Sequence, residues 1–171
     1  DYGAESYIYR IDKRNVFKIF KTDDKEKLEN KLQKIIKLND LDINFLTNPT
    51  ATISCNGEFV GYRMKYDECD KQWFNTYLSF EEKIAYLEEL KEKLLVLEEF
   101  GILYSDIKDD NFLINSATGE LKFCDVDNVQ IDGLRVDTTQ VISRSLRDDD
   151  NLFDNSVHAF MHNIYTLEQL S

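Results

Sequence analysis

The chain has 171 residues, 42% hydrophobic and 32% charged, a balance that suits a globular domain with room for two lobes and excludes a disordered chain. Its formal net charge of -12 argues against a broad nucleic-acid or anionic-membrane surface, while 21 Lys and Arg still allow a local phosphate pocket. No apolar run of about 18 residues is present, so no membrane span is expected.

Ser6 to Ile11 is rich in strand formers, Asp12 to Asn15 is a polar turn, and Val16 to Lys21 alternates. That alternation puts Lys18 on the same face as Val16 and Phe20. Asp23 with Glu26 reads as a capping box for a helix running to about Leu38, with Leu28, Leu32 and Ile35 as its buried stripe. Asn56-Gly57, between the β-type runs Ala51 to Cys55 and Phe59 to Tyr66, predicts a hairpin. Asp67 to Asp70 is an acidic connector, and Lys71 to Leu78 reads as a short helix. Phe80 to Phe100 is a long amphipathic helix with Ile84, Leu87, Leu90, Leu94 and Leu97 on one stripe, closed by Gly101. Short strands are expected at Phe112 to Ile114 and Leu121 to Cys124. Residues 126–150 read as irregular, and a last helix is expected over Asn155 to Leu170.

The segment from Tyr104 to Ile114 holds the pattern D-x-K-x-x-N in Asp106, Lys108 and Asn111, between the long helix and a short apolar strand. Asp125 closes the next strand. Phosphoryl transfer needs parts of this kind: a carboxylate to orient an attacking hydroxyl, a cation to offset charge on the moving group, and oxygen ligands for magnesium.

On these residues the chain resembles the protein kinase family, as a small, divergent Ser/Thr-kinase-like domain of bacterial type. The family's catalytic loop is H-R-D-x-K-x-x-N, and the chain reads Y-S-D-I-K-D-D-N. The resemblance implies Asp106 as catalytic base, Lys108 as a phosphate-contacting lysine, and Asn111 and Asp125 as magnesium ligands. It implies Lys18 as the lysine that holds the α- and β-phosphates of ATP, with Gly3 left from a glycine-rich loop. Met64 and Tyr66 fall in the stretch that resembles the interlobe hinge, where backbone groups would bind adenine. Glu29, placed by helical angle beside the expected buried stripe, is the expected ion-pair partner of Lys18. The implied fold is α+β and bilobal, with a small antiparallel-sheet N-lobe over residues 1–66 and a truncated, mainly helical C-lobe over 67–171.

The chain departs from the family at Tyr104 and Ser105, which stand for His and Arg, and at Asp127, which replaces the glycine of D-F-G. Without that Arg, control through a phosphorylated activation segment is not expected. No proline follows Pro49, so an A-P-E motif is absent from the sequence. The expected activity is ATP- and Mg2+-dependent phosphate transfer, most directly to a protein Ser/Thr hydroxyl. A small-molecule kinase of the same fold, or a pseudokinase serving as a nucleotide-binding or interaction module, are the alternatives.

Other motifs carry less. Asp125-Val126-Asp127-Asn128 lacks the ligand and glycine that a calcium loop requires at Val129 and Gln130. His158 and His162 share a helical spacing but lack the H-E-x-x-H pattern. Cys55, Cys69 and Cys124 show no C-x-x-C spacing, so a reducing, cytoplasmic setting is expected rather than disulfides or structural zinc.

Overall fold

The chain divides into two units, Asp1–Glu68 and Cys69–Ser171. The computed structural model describes residues 5–66, 69, 71–72, 78–104, 106–107, 111–115 and 117–135.

In the first unit, Asp12 sets the opening hairpin. Its Oδ1 accepts the main-chain N–H of Arg14 at 2.6 Å and of Asn15 at 2.8 Å, and the Asn15 side chain donates to it as well. This turn joins β1 (Ser6–Arg10) to β2 (Asn15–Phe20) and fixes an antiparallel register in which Ile8 faces Lys18 and Ser6 faces Phe20. Val16, Lys18 and Phe20 are buried on one face, as the alternation predicts. Helix α1 (Lys25–Asn39) starts one residue later than expected. Its N-cap is Asp24, not Asp23, because the Asp24 carboxylate accepts the N–H groups of Glu26 and Lys27.

β3 (Pro49–Cys55) and β4 (Glu58–Lys65) form the hairpin expected at Asn56-Gly57, whose φ angles of 52° and 84° supply the left-handed pair that a two-residue turn requires. The sheet is antiparallel in the order β1-β2-β4-β3. α1 packs against β3 and β4. Phe20, Ile35 and Tyr62 form the centre of this core, with Leu28, Phe59 and Met64 packed around them.

In the second unit, Lys71–Gln72 is a strand, β5, where a helix was expected to begin; it pairs with Leu113 and Ile114 of a later strand. Residues 73–77 of that expected helix lie outside the described residues. Helix α2 (Phe80–Glu99) starts on a capping box between Ser79 and Glu82, and Gly101 follows it at φ 68°. Leu87, Leu90 and Leu97 are buried, and Ile84 and Leu94 are half-buried, which is the expected stripe.

Beyond α2 come β6 (Ile102–Tyr104), β7 (Phe112–Asn115), β8 (Glu120–Phe123), a 3-10 turn at Val126–Asn128 and β9 (Val129–Ile131). They form antiparallel sheets β5-β7-β8 and β6-β9. The β6–β9 pair corrects the reading of 126–150 as irregular throughout. Tyr104, Phe112 and Phe123 pack as an aromatic triangle with centroids 5.0 to 6.1 Å apart. Lys93 links α2 to β8 by donating to the Leu121 carbonyl at 2.7 Å.

The architecture is therefore α+β with antiparallel sheets. Among the described residues the second unit holds one long helix and five short strands. The expected last helix, over 155–170, lies outside the described residues. No described helix is long and apolar enough to cross a membrane.

Candidate functional site

Three of the sequence-predicted residues of the second unit, Asp106, Asn111 and Asp125, lie around the open end of the β7–β8 hairpin. The hairpin is lengthened by one bond, Cys124 N–H to the Asn111 carbonyl at 2.9 Å. Asn111 and Cys124 therefore stand opposite each other, with Asp125 one residue beyond. Asn111 is buried, and its side-chain amide donates to the main-chain carbonyl of Asp106 at 2.8 Å and to Asp106 Oδ2 at 2.9 Å. This spends both amide hydrogens on Asp106 and leaves Asn111 Oδ1 as the acceptor end of the group.

Asp125 has φ 60° and ψ 39°, in the left-handed region that few non-glycine residues occupy. A short polar side chain tolerates it best. Asn128 holds the conformation from the following turn, donating its N–H to the Asp125 carbonyl and its amide to Asp125 Oδ2, both at 3.2 Å. The turn also buries Asp127.

Tyr104, at the end of β6, lies beneath this loop. Its hydroxyl donates to the Cys124 carbonyl. Burial pushes the phenol well above its ordinary value of 10.0, and the nearby Cys124, Asp125, Asp106 and Asp127 push it further. Three carboxylates thus act on one buried phenol. Tyr104 stands where the resembled motif has His, and its role as a tie between β6 and the Asp125 loop was not read from the sequence.

Hard oxygen donors on a paired strand end suit a divalent cation. No group of three His, Cys, Asp or Glu placed for a metal occurs among the described residues. Magnesium needs fewer protein ligands, since it keeps waters and phosphate oxygens in its shell, and an Asn–Asp pair fits that demand. Lys108 lies outside the described residues, as does Gly3.

The first unit holds the other predicted residues. Lys18 is buried on β2, in register with Tyr62 of β4, and its Nζ is 5.9 Å from the ring centroids of both Phe20 and Tyr62. Glu29 does not turn toward it. It is exposed and accepts a hydrogen bond from Gln33 Nε2 at 2.8 Å. The inward face of α1 is Lys31, Lys34, Ile35 and Leu38, rotated from the expected stripe because lysine stems can serve as apolar cover.

Met64 and Tyr66, expected to offer backbone groups to adenine, lie in and just beyond β4. Met64 is in register with Val16 on one side and Pro49 on the other, and its side chain packs in the core. The Tyr66 N–H donates to the Arg14 carbonyl at 2.8 Å, and the Tyr66 ring lies 3.7 Å under the Arg10 guanidinium.

No protein-family model matches the chain, and no curated protein matches it in sequence.

Proposed function

We propose that the chain is an ATP- and magnesium-dependent phosphotransferase with a bilobal, protein-kinase-like fold, acting on a protein Ser/Thr hydroxyl. The observation that carries this reading is the Asn111 clamp on Asp106, at the hairpin end one residue from a left-handed Asp125.

In this reading Asp106 accepts a hydrogen bond from the acceptor hydroxyl and orients its oxygen toward the γ-phosphorus. That oxygen forms the new P–O bond as the bond to the β-phosphate breaks, and the hydroxyl proton passes to Asp106. Asn111 Oδ1 and the Asp125 carboxylate would hold magnesium, which supplies charge neutralisation at the phosphates when bound. Lys108 offsets charge on the moving phosphoryl group, and Lys18 binds the nucleotide phosphates. The Asn111 amide keeps the Asp106 carboxylate from turning away, so orientation is set before the acceptor arrives.

A nucleotide-binding module without transfer is the second reading. The exposed Glu29, bonded to Gln33, favours it, because the resemblance implies that side chain as the ion-pair partner of Lys18.

Magnesium-dependent ATP binding and phosphate transfer, measured in the wild type, Asp106→Asn and Asp125→Asn, separate the two. A phosphotransferase keeps nucleotide binding in Asp106→Asn and loses transfer, whereas Asp125→Asn loses the magnesium-dependent part of binding. Binding in the wild type with no transfer to protein or metabolite supports the module.

A further inference from the structure

Asp125 stands where the β7–β8 hairpin ends and the turn into β9 begins. On the hairpin side, the Cys124 N–H is bonded to the Asn111 carbonyl at 2.9 Å. On the other side, the turn delivers the chain to Val129, which is in register with Tyr104 of β6. Asn128 closes that turn, one residue before the strand pairing, and is 6% exposed. It meets Asp125 twice, main-chain N–H to carbonyl and side-chain amide to Oδ2, both at 3.2 Å. The two bonds differ in what they reach. The main-chain bond shapes the turn and does not depend on the side chain at 128. The side-chain bond reaches only the carboxylate.

An aspartate carboxylate turns about two side-chain bonds, and fixing it when a cation binds costs entropy. An amide anchored beside a strand pairing and bonded to one oxygen limits that rotation beforehand. The Asn128 donor is neutral, so it orients the carboxylate without cancelling the charge that a cation needs, as a Lys or Arg would. Asp125 and Asp106 are both half-buried and keep part of their surface in solvent, whereas Asn128 is enclosed. Asn128 therefore acts on a ligand through Asp125 and not directly. Two amides do parallel work at this loop, Asn111 on Asp106 and Asn128 on Asp125. Hydrogen-bond partners one step behind a metal-binding carboxylate contribute about 10–100-fold in metal affinity.

We propose that Asn128 is a positioning residue for magnesium, its amide holding the Asp125 carboxylate in the orientation that receives the ion. The proposal rests on the phosphotransferase reading for the metal and the nucleotide. It adds to that reading a residue outside the D-x-K-x-x-N pattern, three positions beyond Asp125 and placed by the 3-10 turn.

Magnesium titrations of ATP binding to the full chain, with ATP in EDTA as the metal-free reference, test this in the wild type, Asn128→Ala, Asn128→Leu, Asp125→Asn and the Asp125→Asn/Asn128→Ala double variant. Both Asn128 variants are expected to raise the half-saturating Mg2+ concentration about tenfold or more and to leave ATP affinity in EDTA unchanged. They differ in volume, and so in stability, and share the loss of the donor, so equal shifts tie the effect to the amide. If Asn128→Ala fails to fold, Asn128→Leu decides, since it keeps the side-chain volume. In the double variant, ATP affinity is expected to stay at the Asp125→Asn level, because the charge through which the amide acts is gone. Half-saturation at the wild-type Mg2+ concentration in both Asn128 variants overturns the proposal and leaves the phosphotransferase reading standing. So does a loss of affinity that is equal with Mg2+ and in EDTA, or one that recurs in full on top of Asp125→Asn, since a merely structural role produces both. A wild type whose ATP binding does not respond to Mg2+ overturns the proposal together with that reading. The Mg2+ shift in a protein that transfers no phosphate upholds the positioning role and removes phosphate transfer.

Discussion

The Asn111 side-chain amide bridges the main chain and the side chain of Asp106, at 2.8 Å and 2.9 Å, and so closes the loop between β6 and β7 on itself. Asn111→Ala removes both bonds and is expected to cost about 1–3 kcal/mol of stability. Asn111→Asp places a second carboxylate against Asp106. Such a pair resists double ionisation, so one carboxyl is raised in the folded state and the variant loses stability as pH rises from about 4 to 7. Urea denaturation of both variants at pH 4 and pH 7 checks this: the deficit of Asn111→Asp relative to wild type grows with pH, and that of Asn111→Ala does not.

Tyr104 gives the opposite end of the pH scale. Its phenol is buried, donates to the Cys124 carbonyl, and has a value well above 10.0, with burial as the main cause. A raised acid is fully protonated in both states below the unfolded value near 10, so its contribution is intact there. Above that, the unfolded phenol ionises first and stability falls by about 1.4 kcal/mol per pH unit until the folded phenol follows. Tyr104→Phe is expected to lose about 1–2 kcal/mol at neutral pH and to show a shallower alkaline decline. Denaturation midpoints between pH 7 and pH 11 read both effects.

Gly61 sits in β4, in register with Ile19 of β2 and Ile53 of β3. A Cβ placed there would overlap the Lys18 main-chain carbonyl oxygen. Backbone cannot yield as a flexible side chain would, so Gly61→Ala must displace the strand that carries Lys18. The expected cost is about 1–3 kcal/mol in thermal or urea unfolding, and on the phosphotransferase reading nucleotide binding weakens among the molecules that remain folded.

The sequence made local signals legible and left long-range ones hidden. Asn56-Gly57 and the Ser79-to-Phe100 stretch carry their own instructions in turn chemistry, capping and periodicity, and the hairpin and long helix appear where expected. The β6–β9 pair was hidden because Ile102–Tyr104 and Val129–Ile131 are three residues each and find one another across the chain. The inward face of α1 was misjudged for a chemical reason: Lys31 and Lys34 count as polar in a binary pattern, yet their stems lie in the core layer. At the site, D-x-K-x-x-N pointed to Asp106 and Asn111, but nothing in the spacing told that the two bond to each other, or that Tyr104 holds the Cys124 carbonyl beneath Asp125.

Asp125 separates charge from conformation. Its φ of 60° needs a residue that accepts the left-handed region, and Asn does so nearly as well as Asp. Asp125→Asn therefore removes the charge and leaves the turn, including the N–H bond from Asn128 to the residue 125 carbonyl. Asp125→Ala removes the charge and adds left-handed strain, about 1 kcal/mol. Asp125→Gly removes the charge and relieves the strain. If Asp125 acts through its carboxylate, all three variants lose magnesium-dependent nucleotide binding alike, while unfolding places Asn and Gly close together and Ala below them. If Asp125 acts only by shaping the turn, binding follows the stability order instead, and the Asn and Gly variants keep it. Magnesium titration beside a denaturation curve for each variant distinguishes the two patterns.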